Sequence, residues 1–346
     1  MAKDQAALAA AVSTIERTHG KNAIMTLGAP PPAYGEDIVL AMSTGSLGLD
    51  LATGIGGYPK GRVVEIYGPE ASGKTTLALH AIAAAQRAAG GAVALIDMDH
   101  TFDVAYARAV GVIVEKLLVS QPDTGEQAFD IAEVLTRSGA VDLVVFDSVP
   151  NLAPRAELEG EIAADDVGLR ARLMSQTLRK LTAIAHRTGS TVLFVNRLKK
   201  AGASTYGDYG SAGSNALKFY ASMRIDVRRI GFVADESTVA TGPLLGRTQV
   251  KIAKNKCAPP FTQAEFSILY AEGIDTAGEL LDLGVACGVI GDVSSGSAPT
   301  SDRVYMFGGV SLGRDREGAR SCLRVHADIA ATLRQAILAT PTPGCV

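Results

Sequence analysis

One nonapeptide constrains this chain more than any other stretch: Gly68-Pro69-Glu70-Ala71-Ser72-Gly73-Lys74-Thr75-Thr76. It fits G-x-x-x-x-G-K-[ST], the pattern of a phosphate-cradling P-loop. An apolar, β-rich run over 62–67 precedes it, and an Ala/Leu-rich helical run over 75–89 follows. A glycine-rich turn between a strand and a helix is the plainer alternative, and the strand–loop–helix context weighs against it. Gly68 and Gly73 let the loop wrap with its N–H groups pointing inward, where a side chain would block a phosphate. The helix that follows aims its positive end at the same point. Lys74 is expected to reach the β- and γ-phosphates and the Thr75 hydroxyl to ligate Mg²⁺. The chain is therefore expected to bind a nucleoside triphosphate.

Composition limits what surrounds that loop. The 346 residues, 47% of them hydrophobic, suit a large core with one or two small attached domains. No apolar run reaches the ~18 residues of a membrane span, so no membrane association is expected. The Ala-rich start meets Glu16 and Arg17 too soon for a signal peptide. Cys257, Cys287, Cys322 and Cys345 form no C-x-x-C pair, which argues against structural zinc or a disulfide framework and for a reducing cytoplasm. A net charge of −3 does not imply a nucleic-acid partner, so local basic patches must supply one.

Residues 4–18 place Ala7, Leu8, Ala11, Val12 and Ile15 at helical spacing, with little chain nearby to cover them. Such a helix docks on its own domain or on a neighbouring subunit. Residues 19–41 read as a linker around Pro30-Pro31-Pro32. From residue 43 to about 272 strands and helices alternate, which predicts an α/β core with a mostly parallel sheet and helices on both faces. Strands are predicted over 63–67, 92–97, 142–147, 191–196, 221–229 and 249–254, with a helix over 169–186. Residues 199–214, rich in Gly, Ser and Tyr, form a long loop of the kind that is usually functional or mobile. Beyond residue 273 a helix over 276–287, a polar stretch at 294–301 and helical pattern over 314–338 predict a small C-terminal domain. The expected division is 1–36, 37–272 and 273–346.

Several other residues carry chemistry. Leu143-Val144-Val145-Phe146-Asp147-Ser148 is an apolar strand ending in an acid, which suits an Asp that orients Mg²⁺ through water beside a P-loop. Asp97-Met98-Asp99-His100 ends another strand, at the edge where open α/β sheets bind ligands, and a carboxylate there could activate water. Lys254-Asn255-Lys256 is either a solvated pair or a set of cations reaching a neighbouring subunit's γ-phosphate. Arg170, Arg172, Arg179, Lys180, Lys199 and Lys200, with Tyr206 and Tyr209, suit phosphate contacts and base stacking, although a solvated charged face has the same composition.

Longer runs carry a family resemblance. Ser43-Thr44-Gly45-Ser46-Leu47, Val64-Glu65-Ile66-Tyr67-Gly68-Pro69-Glu70, Ser120-Gln121-Pro122-Asp123-Thr124-Gly125-Glu126-Gln127, Arg137-Ser138-Gly139-Ala140-Val141-Asp142 and Asn215-Ala216-Leu217-Lys218-Phe219-Tyr220-Ala221-Ser222 resemble the bacterial RecA recombinase family. The similarity runs from about residue 5 to 335. It implies a RecA-like P-loop NTPase core with an N-terminal polymerisation helix and a small α+β C-terminal domain. It also implies a DNA-dependent ATPase, using ATP and Mg²⁺, that forms a helical filament on single-stranded DNA and exchanges strands with double-stranded DNA in recombinational repair. Repressors of LexA type are further implied partners. By resemblance, Gly68, Pro69, Glu70, Ala71, Ser72, Gly73, Lys74, Thr75 and Thr76 form the ATP loop, and Asp147 orients the metal. Asp103 and Tyr106 match the adenine side. The N-terminal helix and Phe219 match interface elements, and Lys254 and Lys256 match lysines that reach ATP across that interface. Val167, Gly168, Arg172, Ser175 and Arg179 match the first DNA loop and its flank. The second is matched by residues 198–214, with Lys199, Lys200, Tyr206, Gly213, Ser214 and the adjoining Asn215 as its DNA-side candidates.

The chain departs from that pattern at informative places. Asp99 stands where the family has a Glu that activates water, retracting the carboxylate by about 1.5 Å. Arg197 stands where the family has a Gln that senses the γ-phosphate; a guanidinium can contact phosphate but cannot accept a hydrogen bond. Ala201, Ala203 and Lys200 replace apolar residues of the second DNA loop, Val167 replaces a Met of the first, and the family's acidic tail is missing. Two rivals to a recombinase therefore remain: an attenuated or regulatory paralogue, and a ring-forming P-loop motor. If the departures attenuate a recombinase, Arg197→Gln raises DNA-stimulated hydrolysis; if Asp99 and Arg197 are co-adapted, it does not.

Overall fold

The computed structural model describes residues 5–21, 23–24, 40–88, 91–160, 166–199, 210–211, 215–233, 245–294 and 303–340. The chain divides into two compact units, Met1–Val39 and Leu40–Val346. In the first, α1 (Gln5–His19) is the amphipathic helix expected from its spacing, with Leu8 exposed.

The second unit opens with a small hairpin, β1 (Ala41–Met42) and β2 (Tyr58–Pro59), that brackets α2 (Leu47–Ala52). Next come β3 (Val63–Gly68), α3 (Lys74–Arg87), β4 (Ala92–Asp97), α4 (Val104–Val110), β5 (Leu117–Ser120), α5 (Gly125–Arg137) and β6 (Val141–Asp147). They are followed by α6 (Arg155–Glu159), α7 (Asp166–Thr188), β7 (Thr191–Lys199), β8 (Gly210–Ser211), α8 (Asn215–Tyr220) and β9 (Met223–Val233). β10 (Leu245–Asn255), β11 (Gln263–Leu269) and β12 (Gly273–Ile274) complete the large sheet, in the order β12-β11-β10-β9-β3-β7-β6-β4-β5. From β9 to β5 all neighbours are parallel; β10, β11 and β12 extend the sheet antiparallel.

Alternation along the central strands builds two cores, because successive side chains of a strand point to opposite faces. Val64, Ile66, Leu95, Val145 and Val195 pack with Leu77 and Ile82 of α3 on one face. Val63, Ile96, Val144, Phe146 and Phe194 pack with Phe129 of α5 and Met174, Leu178 and Leu181 of α7 on the other. There the Phe146 and Phe194 rings stack with centroids 4.6 Å apart. The predicted α/β core with helices on both faces is therefore what the structure shows.

After β12 come α9 (Thr276–Ala286), β13 (Gly291–Ser294), β14 (Arg303–Phe307), β15 (Val310–Gly313), α10 (Arg316–Val325) and α11 (Ala327–Ala339), which surround a third core around Leu281, Leu323 and Leu333. Sequence periodicity gave the helices but not the three antiparallel strands, which are too short to alternate visibly. The buried Glu279 carboxylate of α9 joins this segment to α2, accepting hydrogen bonds from Leu47 N at 3.1 Å, Gly48 N at 3.0 Å and the Ser46 hydroxyl.

Two expectations from composition meet the structure here. Cys257 and Cys322 carry free thiols, but Cys287 is disulfide-bonded, a correction to the reading that cysteines without a C-x-x-C pair stay unpaired. Among the described residues no helix is long and apolar enough to cross a membrane.

Candidate nucleotide and nucleic-acid site

The P-loop leaves the C-terminal end of β3, between β7 and β9, and its glycines are required by shape. A Cβ on Gly68 would strike the Val227 carbonyl of β9. Gly73, the N-cap of α3, has φ +96°, and a Cβ there would strike Ile268 of β11. Lys74 is curled back onto its own loop, its ammonium on the Pro69 carbonyl and 3.5 Å from the Ser72 hydroxyl. Burial pulls its pKa below the usual lysine range.

β6 delivers Asp147 to the first turn of α3. The Thr75 hydroxyl donates to Asp147 Oδ2 at 2.8 Å. Burial, reinforced by the nearby Asp99 and Asp97 charges, pushes Asp147 up to about 6, against the Thr75 hydrogen bond and Lys74. A hydroxyl and a carboxylate at one point are hard oxygen donors of the kind Mg²⁺ takes beside a triphosphate, so these residues fit the expected metal.

The two acids at the end of β4 separate by role. Asp97 faces inward and staples its own turn, accepting from Thr101 N at 3.3 Å, Phe102 N at 3.1 Å and Gln121 Nε2 at 2.9 Å. Asp99 faces the P-loop mouth. It accepts from the Ser148 hydroxyl at 2.9 Å and Asn151 Nδ2 at 2.6 Å, and Arg197 NH2 lies 3.6 Å from its Oδ2. The other arm of Arg197, NH1, lies 3.1 Å from Glu70 Oε1. The guanidinium thus spans from the P-loop to Asp99. Neither Ser148, which closes the quoted run, nor Asn151 was given a role from the sequence; the only hint was their place just past Asp147.

Beyond the phosphate end a cavity of about 630 Å³ opens between the P-loop, α4 and the antiparallel strands. A volume of this order suits a nucleotide. Asp103 and Tyr106 both line it, each also bonded within the protein: Asp103 caps α4 through Ala105 N and Tyr106 N, and the Tyr106 hydroxyl is 2.8 Å from Thr76 Oγ1. The opposite wall, Thr248, Ile268, Arg229 and, in the turn after β11, Tyr270, went unnoticed in the sequence because these residues carry no motif.

Lys254 and Lys256, on and just past the end of β10, cap the C-terminus of α8. Lys254 Nζ donates to the Lys218 and Phe219 carbonyls at 2.6 and 3.2 Å, and Lys256 Nζ to Phe219 at 3.5 Å. Phe219 itself is 73% exposed. The two lysines and the phenylalanine therefore form one surface.

On α7, Arg172 and Arg179 are exposed and Ser175 half-buried, opposite the buried Met174, Leu178 and Leu181. Their spacing puts all three on one helical face. Arg170 is excluded from the expected cationic cluster because it turns inward to the Pro150 carbonyl at 3.0 Å and to Glu157. Val167 and Gly168 lie in the first turn of α7, Lys199 ends β7, and Asn215 begins α8. Lys200, Tyr206, Tyr209, Gly213 and Ser214, with Ala201 and Ala203, lie outside the described residues.

The comparisons with known proteins agree with this geometry. A family model described as the RecA N-terminal domain matches residues 6–275. The chain is 52% identical over 334 residues to Protein RecA of Acidiphilium cryptum (strain JF-5), covering 96% of this chain and 93% of that protein. It is 51% identical over 327 residues to Protein RecA of Azospirillum lipoferum (strain 4B), covering 94% and 87%. The corresponding protein of Rhodospirillum centenum (strain ATCC 51521 / SW) is 51% identical over 336 residues, covering 97% and 89%.

Proposed function

This chain belongs to the RecA family, and from that premise we propose how its residues share the work of an ATP-dependent DNA recombinase. The chain is a DNA-dependent ATPase that binds DNA and assembles as a filament. Thr75 and Asp147 would hold Mg²⁺, which would neutralise charge on the phosphates of bound ATP. Lys74 leaves the Pro69 carbonyl to hold the phosphates, and the N–H groups at the start of α3 complete the cradle. Asp99, fixed from behind by Ser148 and Asn151, orients the attacking water as its base. Arg197 contacts the terminal phosphate from the root of the second DNA loop. Lys254 and Lys256 serve the nucleotide of the adjacent subunit, against which Phe219 packs. Arg172, Ser175 and Arg179 contact the DNA backbone.

The observation that carries this reading is the convergence of four strand ends on one P-loop mouth, with Thr75 2.8 Å from Asp147 and Arg197 within 3.6 Å of Asp99. The cytoplasm is the proposed setting. Stimulated self-cleavage of a LexA-type repressor is proposed as a further output, read by incubating repressor with the assembled filament.

Electron microscopy of the protein with single-stranded DNA, ATP and Mg²⁺ tests the assembly. Helical filaments are expected. Closed rings alone would favour a P-loop motor, and isolated monomers would overturn the reading.

A further inference from the structure

Glu65 is 0% exposed, on the P-loop strand itself, three positions before Gly68. A carboxylate buried in a sheet is costly unless both oxygens are satisfied. Here they are: Oε2 takes Arg224 Nε of β9 at 2.5 Å, and Oε1 takes Asn196 Nδ2 of β7 at 2.8 Å. A carboxylate only accepts, so it forces the Asn196 amide to point its NH₂ toward Glu65 and its oxygen away. That oxygen accepts the Arg197 N–H at 2.8 Å. On the other side, the Arg224 guanidinium lies 4.4 Å over the Tyr67 ring and its residue pairs with Lys254 in the β9–β10 register. One row of side chains therefore crosses three adjacent strands, from the Arg197 backbone through Asn196 and Glu65 to Arg224, whose backbone lies opposite Lys254 on the fourth.

We propose that Glu65 is a positioning residue that fixes, through Asn196, the backbone carrying Arg197, and ties it through Arg224 to the strand carrying Lys254. The two ends of the row lie at the terminal-phosphate contact of one nucleotide site and beside the cation pair facing the next subunit. This inference rests on the roles assigned above to Arg197 and Lys254. If Glu65 only glued β3 to its neighbours, its loss would weaken folding and nucleotide binding together. If it positions Arg197, its loss lowers turnover while nucleotide binding stays, since the P-loop cradle is untouched.

The test measures turnover with single-stranded DNA, and binding of a fluorescent ATP analogue, for Glu65→Gln, Asn196→Asp and the double variant. Each single variant breaks the amide–carboxylate pair: the first sets two amides together, the second two carboxylates. The double variant restores one amide and one carboxylate with the polarity reversed. Each single change is expected to lower stimulated kcat about tenfold or more with Kd changed less than about threefold, and the double to recover at least about a third of wild-type kcat. Should either single variant fail to fold, Asn196→Ser, which leaves the Glu65–Arg224 pair intact, is expected to show the same kcat loss. The proposal is overturned if kcat of the folded variants stays within about twofold of wild type, if kcat and binding fall together, or if the double recovers nothing. Wild-type protein without any DNA stimulation would instead refute the recombinase reading, so the two failures are distinct.

Discussion

Replacing Arg197 with Gln tests whether Asp99 and Arg197 act as one unit. At 3.6 Å and an effective dielectric of about 20, the gross attraction of the pair is about 4–5 kcal/mol. The Arg197 side chain is 45% exposed, so solvent screening reduces this to about 1–2 kcal/mol. That is a factor of roughly 5–30 in rate if the pairing is what holds the shorter acid and the cation in register. Losing the cation facing the terminal phosphate adds to it, because a donor aimed at developing charge is typically worth about 10²-fold. The two losses together put DNA-stimulated turnover of Arg197→Gln about 500–3,000-fold below wild type. Asp99→Glu alone is also expected to fall, since a longer acid meets a guanidinium already in place. The double variant should regain only the pairing part, roughly 5–30-fold, giving a coupling of about 1–2 kcal/mol in a double-mutant cycle. Steady-state phosphate release with saturating single-stranded DNA reads all four proteins. A rise in Arg197→Gln, or strictly additive losses, would refute the co-adapted pair and leave Arg197 as an attenuating latch.

Three further outcomes follow from the geometry. Gly73→Ala should weaken nucleotide binding in a filter or fluorescence assay, because its φ of +96° strains any residue with a Cβ and the Ile268 side chain must shift to admit one. Arg172→Ala and Arg179→Ala should each reduce the slope of log affinity for single-stranded DNA against log salt by about 0.7; an unchanged slope would remove that arginine from the contact face. Burial, with Asp50 adding to it, pushes Glu279 up from 4.5 to about 7, against hydrogen bonds from Ser46, Gly48 and Leu47. A raised folded pKa stabilises fully below the unfolded value and loses that contribution as pH rises through the folded one. The stability advantage of wild type over Glu279→Gln should therefore shrink by about 3 kcal/mol between pH 4.5 and above 7, measured by urea unfolding.

The phosphate-loop half of the candidate site was legible because its residues are local. Gly68, Gly73, Lys74 and Thr75 sit in one loop, and Asp147 ends an apolar strand whose burial is visible as a run of Val and Phe. The central strands were legible for the same reason, being continuous apolar segments. What the sequence concealed depends on register between distant strands. Nothing near Glu65 shows that Asn196 and Arg224 lie on either side of it, and nothing near Arg197 shows that it bridges Glu70 and Asp99. Arg170 and Arg172 look alike in sequence, yet Glu157 captures one and leaves the other exposed. Asp97 and Asp99 look alike too; the turn after β4 takes the first and leaves the second at the mouth. Strands β12 to β15 escaped because two to five residues cannot display a period; β11 alternates over seven residues and was overlooked.

Steady-state ATP hydrolysis by the full chain with Mg²⁺, with and without single-stranded DNA, tests the central claim most directly. The account predicts slow turnover alone and a rise of roughly tenfold or more on adding the DNA. ATP binding with turnover indifferent to DNA would contradict it.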